Sequence, residues 1–142
     1  MQYAAGMTDS QNIRDRAFVF ACAAAKLALR LQSRPGIRCL VDQLLRSATS
    51  VGANLEEAKA GSSTREFVRY VEISLREARE AGYWLRIFAT LEVDSSKEVK
   101  ELSDEAAQIA RILGAIVVKT KVRLRVGYAV FAFCILNFAL LS

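Results

Sequence analysis

The side chains able to do chemistry in this chain are carboxylates, guanidinium groups and thiols, because histidine is absent from all 142 residues. Without it there is no Ser-His or Cys-His nucleophile pair, no imidazole general base and no imidazole metal ligand. Glu56 with Glu57, and Glu77 with Glu80, place carboxylates close together on helices. In a helical bundle such carboxylates hold a di-iron centre only together with Glu-x-x-His, which this sequence cannot supply. Pairing of Glu77 and Glu80 with Arg76, Arg79 or an arginine from a neighbouring helix is the simpler expectation. Nothing marks a pocket for a hydrolase working with glutamate alone. The phosphate loop G-x-x-x-x-G-K-[ST], the dinucleotide fingerprint G-x-G-x-x-G and the nucleophile elbow G-x-S-x-G are all missing. No catalytic residue, cofactor or metal ligand is expected, and the chain does not read as an enzyme.

The three cysteines, Cys22, Cys39 and Cys134, are odd in number and form no C-x-x-C pair. Neither a disulfide framework nor a zinc site is expected from them. Cys22 and Cys39 lie in apolar helical patterns and read as small buried hydrophobes, which suits a reducing cytoplasm. No secretory leader is expected, since Asp9, Arg14, Asp15 and Arg16 interrupt the N-terminus before an apolar run develops.

Basic side chains remain. Lys and Arg number 20 against 15 Asp and Glu, a formal charge of +5. Residues 111–142 carry basic side chains and no acid at all, while residues 47–110 are net acidic. Arginine outnumbers lysine, which suits planar contacts to phosphate or carboxylate. The competing reading is that arginine serves as a helix former on solvated faces.

The elements that must carry these residues are helices. One proline and seven glycines are too few for an all-β sandwich. Phe20, Ala24, Leu27 and Leu31 mark a first helix over about 11–33, with Asp9, Ser10 or Asn12 as cap and Pro35-Gly36 as stop. Ile37, Val41, Leu44, Ala48, Val51, Leu55 and Ala58 mark a second over about 36–60, with Gly61 as its C-terminal cap. Ser63-Thr64-Arg65-Glu66 is a capping box, and Phe67, Val71, Ser74, Ala78, Ala81, Leu85 and Phe88 carry a third helix to about 91. A second box, Ser95-Ser96-Lys97-Glu98, opens a fourth through Val99, Leu102, Ala106, Ile109, Leu113, Ile116 and Thr120. Short connections make neighbours antiparallel, so the sequence predicts an all-α, antiparallel up-down-up-down four-helix bundle over residues 1–125.

That topology gathers Arg14, Arg16, Lys59, Arg65, Arg69, Lys119, Lys121, Arg123 and Arg125 at one end. Such an end would attract the phosphates of a nucleic acid. Alternatively, the cations at the end of the fourth helix merely complement its dipole.

Two stretches are apolar without interruption, AFVFACAAA over 17–25 and ILGAIVV over 112–118. A helix apolar on every side needs cover on every side, and one bundle covers one face. Self-association into a homo-oligomer is the expectation; the alternative is that the alanines tolerate water. Gly52, Gly82 and Gly114 inside helices point to close helix approaches.

Residues 126–142, VGYAVFAFCILNFALLS, form an apolar tail behind Lys119, Lys121, Arg123 and Arg125. A tail-anchored protein would look like this, but a span needs about 20 apolar residues. A membrane span is therefore disfavoured against packing on the bundle, pairing between subunits, lying along a membrane surface, or serving no role. The residue types would also tolerate an extended strand.

Residues 43–88 closely resemble the four-helix-bundle proteins encoded by 23S rRNA intervening sequences. The resemblance is carried by Gln43, Leu44, Arg46, Ser50, Val51, Asn54, Leu55 and Glu57, then by Phe67, Ser74 and Glu77, with Tyr83-Trp84-Leu85 as a subgroup feature. It spans about residues 13–120, and the apolar tail departs from it. The resemblance implies a small cytoplasmic bacterial protein, an antiparallel four-helix bundle and a homopentameric ring. Similar rings serve as accessory proteins of diversity-generating retroelements, where they bind nucleic acid and a reverse transcriptase. By that analogy the chain is expected to be an RNA-binding ring; the alternative is an adaptor for a protein partner such as a reverse transcriptase. Arg46, Gly52, Asn54, Glu57, Ser74 and Glu77 are expected to make contacts within or between bundles, the alternative being a binding surface.

Overall fold

A computed structural model describes the backbone of residues 12–140 apart from 92 and 95, and side chains as far as residue 128. Four α-helices run through the described residues: α1 (Ile13–Leu31), α2 (Arg38–Ala60), α3 (Thr64–Thr90) and α4 (Lys97–Leu140). α1 packs on α2, α2 on α3, α3 on α4, and α4 returns to α1, with no close backbone approach along a diagonal among the described residues. With the short connections, this cyclic order is the expected up-down-up-down bundle.

The core is built from the periodic stripes. Phe20, Leu27, Leu44, Val51, Val71, Leu85, Phe88, Ile109 and Leu113 are fully buried. The stripes drift at their ends. Ile37, Phe67 and Ile116 are only half-buried, and Val68 and Val117 take the inner positions instead. A spacing of 3.5 residues slides around a helix that turns every 3.6.

The helix ends refine the expected caps. Asn12 Oδ1 accepts from the Arg14 amide at 3.1 Å, while Asp9 and Ser10 lie outside the described residues. Ser63 Oγ accepts from the Glu66 amide at 3.2 Å. The Glu66 carboxylate, however, accepts from the Ser62 amide at 3.0 Å and not from that of Ser63. This lays Glu66 over Gly61, where an added Cβ would sit 3.3 Å from Glu66 Cγ. Gly61 does end α2, donating to the Glu57 carbonyl at 3.0 Å, but at φ −60° and not in the left-handed geometry of a glycine cap.

The second box shifts by one residue. Ser96 Oγ accepts from the Val99 amide at 3.4 Å, and Glu98 is spent on a salt bridge with Arg30; Ser95 lies outside the described residues. Asp94 accepts from the Ser96 amide at 2.9 Å. Burial works to raise the Asp94 pKa, but the Ser96 hydrogen bonds, with Arg30 and Arg34 nearby, prevail and hold it below the usual carboxylate value. Gly36, at φ +82°, makes the left-handed turn between α1 and α2 that follows Pro35.

Three sequence expectations change here. α4 does not end near Thr120: its backbone crosses residue 125 without a break and stays helical to Leu140, so the described part of the tail is not a strand. Cys22 is half-buried and Cys39 exposed, so neither is a buried core thiol, and the side chain of Cys134 lies outside the described residues. Of the helical glycines, Gly52 faces the Ala17 backbone of α1 at 3.8 Å and Gly82 faces Ala106 Cβ at 3.5 Å, while a Cβ on Gly114 would meet nothing within 4 Å. The approaches at Gly52 and Gly82 lie inside one bundle and would admit an alanine.

The apolar surplus of α1 is visible as surface. Phe18 and Leu29 are 68% and 61% exposed on the side turned away from the core, with half-buried Cys22 and Ala25 in line between them.

Candidate nucleic-acid interface

Helix packing sets the basic side chains at one end of the bundle beside each other. Lys121 of α4 reaches Glu72 of α3 at 2.5 Å, and Arg65 in the first turn of α3 donates to the Tyr128 hydroxyl of α4 at 3.5 Å. These two contacts lay α4 residues 121–128 along the first turns of α3. Arg14 in the first turn of α1 reaches Glu56 of α2 at 3.3 Å, one turn before Lys59. Arg14, Lys59, Arg65, Lys121, Arg123 and Arg125 thus belong to the same end, with Lys119 one turn before Arg123 on α4.

Arg16 leaves this set. It is 8% exposed, and its guanidinium forks onto Glu105 of α4, Nε to Oε1 at 3.0 Å and Nη2 to Oε2 at 2.8 Å. A third bond runs to Gln108 Oε1 at 3.2 Å. The geometry is that of a bidentate, charge-assisted pair. It closes the α1–α4 seam, which is the least extensive of the four helix contacts. Arg16 holds the fold and has no free face for a phosphate. The sequence missed this because Glu105 lies 89 residues away and carries no local signal.

The remaining cations differ in how far they are neutralised. Arg14 and Lys121 are paired with Glu56 and Glu72. Lys59, Arg65, Lys119, Arg123 and Arg125 are exposed and have no acidic partner among the described residues. The dipole explanation for the α4 cations fails on position. Residues 119–125 stand well inside a helix that continues to Leu140, and its last turn holds no basic residue. A helix dipole acts only over the terminal turn. Lys119, Arg123 and Arg125 instead leave positive charge without an acidic partner at one end of the bundle.

The motif residues between α2 and α3 sort differently. Arg46 donates to Gln43 Oε1 at 3.1 Å and bridges to Glu80 of α3, which also accepts from Trp84 Nε1 at 3.3 Å. Ser74 is fully buried and donates to the Val51 carbonyl across the α2–α3 interface at 2.6 Å. Asn54 donates to Ser50 of its own helix at 2.8 Å, a local bond and not a bridge between helices. Glu57 is exposed, and one buried oxygen of Glu77 has no partner within the described chain. The expected pairing of Glu77 with an arginine is therefore not made, whereas Glu80 finds its arginine on the neighbouring helix. Among the described residues no cluster of carboxylates and thiols could hold a metal ion. No helix among them is long and apolar enough to cross a membrane.

Residues 9–115 match the family described as 23S rRNA-intervening sequence protein. The chain belongs to that family. A crystal structure of a protein of unknown function from the S23 ribosomal protein family, from Bacteroides thetaiotaomicron, is similar to it at 28% identity with a TM-score of 0.71. The alignment covers 75% of this chain and 98% of that one. No curated protein matches the chain significantly. Neither the family's description nor the neighbour's names a catalytic activity. The match ends at residue 115, so the cations at 119–125 and the rest of α4 lie beyond the family's share of the chain.

Proposed function

We propose that this member of the family is a non-enzymatic, self-associating bundle that binds RNA through its phosphate backbone. The binding surface is the end carrying Lys59, Arg65, Lys119, Arg123 and Arg125, with Arg14 and Lys121 available when their carboxylate partners yield. The observation that supports this reading is the position of Lys119, Arg123 and Arg125 on α4: mid-helix, exposed, and without acidic partners among the described residues. Cations so placed contribute nothing to the dipole, and a polyanion is the partner that rewards them.

Self-association rests on the outer face of α1. Phe18 and Leu29 expose two large apolar side chains on one line, and a second copy presenting the same face would cover them. Copies gathered in this way would repeat the basic end and strengthen its field. A protein partner in place of RNA would stay bound after nuclease treatment.

The test is a salt titration of RNA binding with an unstructured single strand. A protein neutralising about four phosphates loses affinity on the order of fiftyfold between about 50 and 200 mM salt. Replacing Lys119, Lys121, Arg123 and Arg125 with glutamine should weaken binding and flatten that dependence. Absent or salt-insensitive binding by the full chain would remove the RNA reading. A stoichiometric protein partner that survives nuclease would put the adaptor reading in its place.

A further inference from the structure

We propose that the C-terminal part of α4 is an interfacial helix that lays the bundle on an anionic lipid surface. Val118, Val122 and Val126 are 63%, 54% and 57% exposed, four residues apart. They form one line on the side of α4 opposite Ile109 and Leu113, which are buried. Lys119 and Arg123 border this line on one flank and Arg125 on the other, all exposed. Long cationic stems beside an apolar stripe let the valines sink to the acyl boundary while the charges stay with the headgroups.

The sequence and the backbone beyond this line are compatible with such a surface. No Asp or Glu follows Glu105 in the sequence, and residues 126–142 carry no charge. The α4 backbone runs on as one helix to Leu140, past Tyr128, which already stands level with the first turn of α3. The family match stops at residue 115, three residues before the first of these valines. The proposed lipid-facing line therefore lies outside the matched part of the chain.

Charge decides the occupant. Two copies pairing along this stripe would bring Lys119, Arg123 and Arg125 against their own repeats, with no carboxylate on the segment to separate them. RNA would satisfy the cations and leave three exposed valines in water. An anionic bilayer satisfies both, since each basic residue near such a surface adds to the attraction while apolar area is buried. Lys119, Arg123 and Arg125 are shared with the RNA reading, and the valines, which make no phosphate contact, separate the two.

The test is sedimentation of the nuclease-treated full chain with vesicles of phosphatidylcholine, with and without phosphatidylglycerol. The chain should pellet with the anionic vesicles at low salt and remain in solution with the neutral ones. V118S/V122S/V126S should reduce partitioning on the order of tenfold or more, while leaving RNA affinity, helical circular dichroism and particle mass unchanged. V122D alone should move partitioning in the same direction, which guards against a fold defect in the triple variant. Failure of the full chain to pellet, equal binding by the serine variant, or a loss of particle mass in that variant would overturn the proposal. The last result would make a second copy the occupant.

Discussion

Two apolar lines are exposed among the described residues, and their surroundings separate them. On α1, Phe18 and Leu29 lie inside the family match and are bordered by both signs of charge, with exposed Asp15 and Lys26 nearby. On α4, Val118, Val122 and Val126 lie outside the match and are bordered by cations alone. Equal exposure of apolar area does not specify a partner; the charge beside it does. Mixed signs tolerate a symmetric copy, whereas one sign refuses it and asks for an opposite surface.

The largest effect should come from breaking the α1 line. F18D/L29D should convert the particle to single chains at micromolar concentration, read by light scattering, while V118S/V122S/V126S should leave its mass intact. If both variants, or neither, change the mass, the distinction between the two faces is lost.

Next in size is the seam that ties the two helices carrying these lines. Glu105→Ala leaves Arg16 buried without a counter-charge and should cost about 3 kcal/mol or more, read by denaturant unfolding. The double variant R16M/E105L should recover most of that loss, because the pair's worth lies mainly in not being broken. Ser74→Ala frees the Val51 carbonyl at the α2–α3 interface and should cost about 1 kcal/mol, without touching either apolar line.

The smallest effect is at Asp94. Its depressed pKa means that its contribution is fully present above the unfolded carboxylate value of 3.8 and fades as pH falls through the lower native value. Asp94→Asn should therefore lower thermal stability slightly at neutral pH, and the difference from the parent chain should close in strong acid.

The helices and their buried stripes were legible because apolar spacing is local information. Phe20, Leu44, Leu85 and Ile109 sit in the core where their periodicity puts them. The caps were legible to within a residue, since Ser95 and Ser96 offer the same hydroxyl one position apart and only backbone geometry selects between them. For the candidate interface, only the placement of the basic residues was legible in the sequence. Its location at one end follows from topology alone, but the removal of Arg16 depends on a helix 89 residues away. The α4 cations looked like the end of a helix because the apolar tail behind them resembles a different segment. The continuous backbone to Leu140 gives them another meaning.

The most direct test of the account is the mass of the purified particle by light scattering at micromolar concentration, before and after nuclease. An integer multiple of the 15.7 kDa chain should persist after nuclease, with additional mass from RNA before it. A particle of 15.7 kDa under both conditions would mean that Phe18 and Leu29 are simply wet, and that no copies combine to build the basic surface.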